Sequence, residues 1–122
     1  MPKNPSIAVA ELETASITSV GAVAVGRCVG FDSAQVSVAG NPVYGIAKFE
    51  AITAGKRLTI VTHGEAAAQI GATVASLGLD LASSASGQLI PATTGTQIIA
   101  RALQTGVNGD YIRVLICREG AK

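Results

Sequence analysis

Ala54-Gly-Lys-Arg-Leu-Thr-Ile-Val-Thr-His-Gly64, running on into Glu65-Ala-Ala-Ala-Gln-Ile-Gly71, decides how the chain is read. A turn glycine precedes a β-branched run, and a second glycine leads into a segment of small residues. Side chains two apart share a face of a strand. Leu58, Ile60 and Thr62 therefore lie on one face, and Arg57, Thr59, Val61 and His63 on the other. Residues 56–63 are predicted to be a core strand, and residues 66–70 a second, tightly packed one.

The same glycine-bounded unit recurs through the chain. From Gly21 to Phe31 the residues alternate, with Val23, Val25, Val29 and Phe31 on one face and Ala22, Ala24, Gly26, Cys28 and Gly30 on the other. Further strands are expected over 35–39, 43–49, 79–82, 88–91, 97–103 and 111–117. Gly40-Asn-Pro42, Ser83-Ser-Ala-Ser-Gly87 and Asn108-Gly109 supply the turns between them. Short strands with turns about every 8–12 residues are the all-β pattern.

One region breaks the pattern. Ile70, Val74, Leu77 and Leu81 recur at helical spacing, yet Gly71 and Gly78 would each cost a helix about 1 kcal/mol relative to Ala. The reading is one short helix near 72–77, stopped at Gly78. Pro2 and Pro5 favour extended backbone. Residues 1–14 are expected to form an extended N-terminal arm, and residues 15–122 a single β-rich domain.

Composition narrows the partners. Hydrophobic residues make up 48% of the 122, but aromatics only 3%, with no Trp. A core of Ala, Val, Ile and Leu fills thin layers and lacks the large anchors that aromatic side chains provide. Charged residues are 14% against a usual value of about 25%, which favours a stable oligomer. A net charge of +1 gives no electrostatic footprint for nucleic acid or an acidic membrane. No stretch reaches the roughly 18 apolar residues of a membrane span, and no signal-peptide pattern opens the sequence, so synthesis in the cytoplasm is expected. Cys28 and Cys117 stand in apolar runs and are expected to be buried free thiols.

Candidate chemistry is sparse. His63 is the one histidine, and one His cannot build a multi-His metal site. On a regular strand His63 and Glu65 would point the same way across Gly64, giving half of an acid–base or metal pair, but no third ligand lies nearby in sequence. No serine occupies a Gly-x-Ser-x-Gly elbow. The run Gly21 to Gly26-Arg27 lacks the Lys-Ser/Thr of a phosphate loop. Asp32, Asp80 and Asp110 each sit beside turn residues, where a carboxylate closes the turn. The expectation is a protein that is not an enzyme, with no cofactor, metal or small-molecule substrate.

Several segments, in order, resemble the small phage capsid cement, or head decoration, proteins. They are Gly21-Ala-Val-Ala-Val-Gly-Arg-Cys-Val-Gly30, Pro42-Val-Tyr-Gly-Ile-Ala47, Ala54 to Gly64, Ser83-Ser-Ala-Ser-Gly-Gln-Leu-Ile90, Ala100-Arg-Ala-Leu103 and Gly109-Asp-Tyr-Ile-Arg-Val-Leu-Ile116. Cys28, where the family often has an aromatic, and the polar Gln104-Thr-Gly-Val-Asn108 stretch depart from it. The resemblance implies a mainly β fold, a compact β-tulip or β-clip-like domain or a small barrel. It also implies a homotrimer on the outer surface of the virion, made in the host cytoplasm, that binds the major capsid protein and stabilises its lattice. The N-terminal arm would then reach the capsid through Pro2, Lys3, Asn4, Pro5, Ile7 and Val9. The competing expectation is a small β-barrel module that binds a ligand or glycan, for which Tyr44 or Tyr111 would have to serve. An enzyme built around His63 and Glu65 ranks third.

Overall fold

The computed structural model describes residues 10–121. It contains eight strands: β1 (Glu11–Thr18), β2 (Cys28–Val29), β3 (Gly45–Ala47), β4 (Arg57–Gln69), β5 (Asp80–Ser83), β6 (Leu89–Pro91), β7 (Gln97–Ala102) and β8 (Tyr111–Ala121). The strands form one sheet in the order β2-β3-β4-β8-β7-β5-β6, with β1 paired to β4. Every strand pairing is antiparallel. A parallel bridge between Ile70 and Leu89 brings the β6 end of the sheet back to the end of β4. Gly71 N–H donates to Leu89 O at 2.8 Å, and Cys28 N–H donates to Gly87 O at 2.7 Å. The sheet is thereby curled into a nearly closed barrel, which hides all but a few edges from pairing.

The mainly β expectation holds, and β4 explains how one strand can organise it. The predicted break between 56–63 and 66–70 is absent: β4 runs unbroken for 13 residues. Its first half pairs with β1 and β3, and its second half with β8. Leu58 and Ile60 enter a small core with Val23, Val29, Ala47 and Ala51. Val61 enters the larger core, which also receives Ala66 and Ala68 from the same strand and Ile70 just after it. An odd-numbered position and then even-numbered ones thus face the same core. A regular pleat cannot do this, because its side-chain period is two. The register slips twice between β1 and β4, once across Leu12 and once across Thr62, and Gly64 follows at φ +89°. Leu12 is the extra residue on β1 and Thr62 the extra residue on β4; the slip at Thr62 shifts β4's pleat by one residue and transfers the strand from one core to the other.

The short helix near 72–77 is not formed, and no helix occurs among the described residues. Its backbone groups are committed across the fold. Val74 N–H donates to Gly106 O at 2.9 Å, and Gly106 N–H returns a bond to Val74 O at 3.0 Å. The apparent helical stripe is not one face, since Val74 and Leu81 are fully buried while Leu77 is 70% exposed. The long alternating strand expected over 21–31 shrinks to β2, with Val23 in an isolated bridge to Ala51. Gly26, at φ +77°, turns the chain beneath the Tyr111 ring, where a Cβ would stand 2.8 Å from Tyr111 Cε2. The strand expected over 35–39 is reduced to a bridge between Gln35 and Val29. From residue 79 onward the expected strands appear as β5 to β8, each within a few residues of its predicted place.

Glu11–Thr14, expected in the arm, belong to β1, whose Ala15 and Ile17 pack on the small core.

Candidate interaction surface

The six arm residues singled out in the sequence, Pro2, Lys3, Asn4, Pro5, Ile7 and Val9, lie outside the described residues. The arm's first described contacts are made by Ala10. Its carbonyl accepts from Glu65 N–H at 2.9 Å, and its N–H donates to Glu65 Oε1 at 3.3 Å. The chain from which the arm departs is therefore anchored at the β4 bulge.

His63 and Glu65 do not make a joint site. His63 Nδ1 lies 2.8 Å from Glu13 Oε1. The same Glu13 oxygen accepts from Thr62 Oγ1 at 3.1 Å. Glu65 turns to Ala10 N–H and to Arg113, whose Nε is 3.4 Å from Glu65 Oε1. The left-handed backbone at Gly64 breaks the alternation that would have aligned the two side chains. His63 and Glu13 are both more than half exposed, and an ion pair so open to water contributes little.

The cysteines are both free. Cys28 is buried at the junction of β2 with the Ser83–Gly87 turn, and burial pushes its thiol up to about 12 against a hydrogen bond from Ser83 that acts the other way. Cys117 is half-buried. Asp110 is buried and closes the β7–β8 connection, accepting from Val107 N–H at 3.0 Å. Asp80 pairs with Arg101 at 3.1 Å across β5 and β7. Asp32 accepts from Ala34 N–H at 3.2 Å within its own turn. Asp32 and Asp110 thus close turns as their positions imply, whereas Asp80 belongs to β5 and pairs across the sheet. The polar Gln104 has a part as well: its Oε1 accepts from Arg113 N–H at 2.7 Å and extends the β7–β8 ladder beyond Ala102.

The surface feature that sequence reading missed is aromatic. Alternation groups Phe31 with Val23, Val25 and Val29 on one strand face. In the structure Phe31 is 66% exposed and stacks on Tyr44 with centroids 5.3 Å apart and planes 24° from parallel. The missed signal was local: Asp32-Ser33 follows immediately and ends the strand before Phe31 can turn inward. Ser33 is the one non-glycine with positive φ among the described residues, at 65°. Two depressions meet at the Phe31 ring. One is an open groove of about 280 Å³ that also includes Asp32, Gln35, Ser37, Asn41 and Pro42. The other, of about 90 Å³, runs past Pro42 and Val43 to Ile98 and Ile99 of β7.

Other exposed apolar side chains stand on loops: Val20, Phe49, Ile52, Leu77 and Val107. Leu12, at the bulge, is 80% exposed. Isolated apolar residues on a surface are ordinary; so many on a chain with few charges suit a protein that associates.

No family model matches the chain, and no curated protein does. Among solved structures it is similar to the N base of the head fiber gp8.5 of bacteriophage phi29, with a TM-score of 0.70 and 14% identity. The likeness covers 90% of this chain and 99% of that one. At that identity it is the fold that the two share.

Proposed function

We propose that this chain is a structural protein of a phage head, without catalytic activity, that sits on the outer surface of the capsid as a trimer and stabilises the lattice of the major capsid protein. The observation that carries the reading is the whole-domain likeness in fold to the base of a phage head fiber. The decoration-protein motifs quoted above and the sparsely charged, oligomer-prone composition point the same way. Residues 1–9 supply the capsid contact in this reading, through Pro2, Lys3, Asn4, Pro5, Ile7 and Val9. Residues 10–121 form the domain that holds the arm at the β4 bulge.

The mechanism is additive. Each trimer buries apolar area at about 25 cal/mol per Å² before the costs of association. Three linked arms raise the strength of attachment beyond that of one. The test mixes purified protein with expanded, undecorated heads and follows binding and heat resistance. Saturable binding with a raised rupture temperature is expected, and a trimer mass by light scattering. Absence of saturation, or a strict monomer, overturns the reading. Removal of residues 1–9 leaves β1 intact and should abolish binding without lowering the unfolding temperature. If the shortened chain still saturates the heads, the arm is not the contact.

A further inference from the structure

We propose that the groove beside Phe31 is a binding site for a neutral sugar ring, such as an exposed unit of a glycan. The proposal goes beyond a role in the head and does not depend on it.

The platform is in place before any ligand arrives. Tyr44 is half-buried just before β3 and stacks on one side of the Phe31 ring, which is itself largely exposed. A stacked partner fixes a ring that would otherwise swing about its side-chain torsions. The loop beneath is also held. Gly30 N–H donates to Ala34 O at 2.9 Å, Val20 N–H to Ser33 O at 3.1 Å, and Gly40 N–H to Ser83 O at 2.8 Å. Gln35 is engaged through both amide atoms, accepting from Ala24 N–H at 3.0 Å and donating to Ser86 O at 3.0 Å.

The remaining polar groups of the groove are available. Among the described residues, the Ser37 hydroxyl and the Asn41 side-chain amide make no hydrogen bond, and Asp32 uses only one carboxylate oxygen. The groove therefore offers an aromatic face, an aliphatic proline, one carboxylate, one amide and one hydroxyl within a single opening. A pyranose has the matching chemistry, with an apolar C–H face to lie on the ring and hydroxyls that both donate and accept.

Charge and geometry decide against the other small ligands. No Lys or Arg lines the groove, while Asp32 does, so phosphates, nucleotides and acidic sugars meet repulsion without compensation. Quaternary ammonium ligands are characteristically held in a cage of several rings, whereas these two rings are stacked 24° from parallel and form no cage.

The test titrates isotope-labelled full-length protein with maltotriose, cellotriose and chitotriose, and with trigalacturonate as the anionic control, by amide chemical shift. At least one neutral trisaccharide should give saturable shifts centred on residues 30–42, and trigalacturonate should give none at equal concentration. Phe31→Ala should weaken binding about tenfold, the upper range for loss of one aromatic contact. Phe31→Tyr should retain it, and Asn41→Ala should weaken it with the rest of the spectrum unchanged. The site assignment is overturned if no neutral trisaccharide gives saturable shifts, if trigalacturonate binds equally, or if Phe31→Ala leaves the affinity unaltered. A change in light-scattering mass with Phe31→Ala would place the ring in a contact between copies, and would overturn it too.

Discussion

Replacing Gly64 with Ala tests the claim that the irregular β1–β4 pairing at Thr62 to Gly64 hands β4 from one core to the other. Gly64 is at φ +89°, and a Cβ there would stand 2.5 Å from Leu12 N and 2.7 Å from Ala10 O. Both are backbone atoms, so no side-chain rotation relieves the clash. Gly55 provides an internal control, with φ +82° and nothing within 4 Å of its Cβ position. The left-handed conformation costs an L-residue about 1–2 kcal/mol at either site. At Gly64 the start of β1 must also move away, which removes the 2.9 Å bond from Glu65 N–H to Ala10 O. That bond is worth about 1 kcal/mol, and the displaced packing adds about as much again. Gly64→Ala should therefore destabilise by about 2 kcal/mol more than Gly55→Ala. For a chain of this length, about 4 °C per kcal/mol gives a melting temperature lower by about 8 °C. Thermal unfolding followed by circular dichroism measures the difference. Hydrogen exchange should be faster along β1 in Gly64→Ala than in Gly55→Ala, while the core amide of Ile112 speeds up only as far as the overall loss of stability requires. Equal melting temperatures for the two variants would refute the idea that Gly64 is required by close backbone approach.

Two further outcomes follow from buried groups. Cys28 keeps its proton in the fold up to about 12, against an ordinary value of 9.0. Between those values the unfolded chain binds fewer protons than the folded one, so stability falls as pH rises, by at most about 1.4 kcal/mol per pH unit. Denaturant titrations above pH 9 should show this fall, and Cys28→Ala should flatten it; an unchanged slope would mean that the thiol is open to solvent. Asp110→Ala removes a buried carboxylate and leaves Val107 N–H without its 3.0 Å acceptor in a part-buried turn. It should cost about 1–3 kcal/mol, read from the urea midpoint, and a midpoint within error of the parent would deny the aspartate its structural part.

The divide between legible and hidden features runs along sequence distance. Tyr111 to Cys117 was readable as a strand because its neighbours on the chain carry the pattern, and Asn108-Gly109 fixes the connection before it whatever else the fold does. The segment 70–81 was misread for the opposite reason. Its apolar spacing fits a helix, but whether its backbone turns on itself depends on Gly106, more than thirty positions away, whose carbonyl and amide take both polar groups of Val74. Phe31 shows the same limit on the surface, since its stacking partner Tyr44 and the walls of its groove come from separate turns.

Residue order alone therefore determined the class of the fold: β-branched runs, glycine turns and a shortage of aromatics admit little besides a thin-layered β domain. It also determined the lack of any close cluster of catalytic side chains along the chain. The tertiary structure alone decided that 57–69 is one strand serving two cores, that His63 and Glu65 go to different partners, and that an aromatic face stands open. Each of those outcomes turns on a one-residue slip of register or on a contact between distant segments. Alternation is a local property of the pleat, whereas a bulge is settled by what packs on both sides of it.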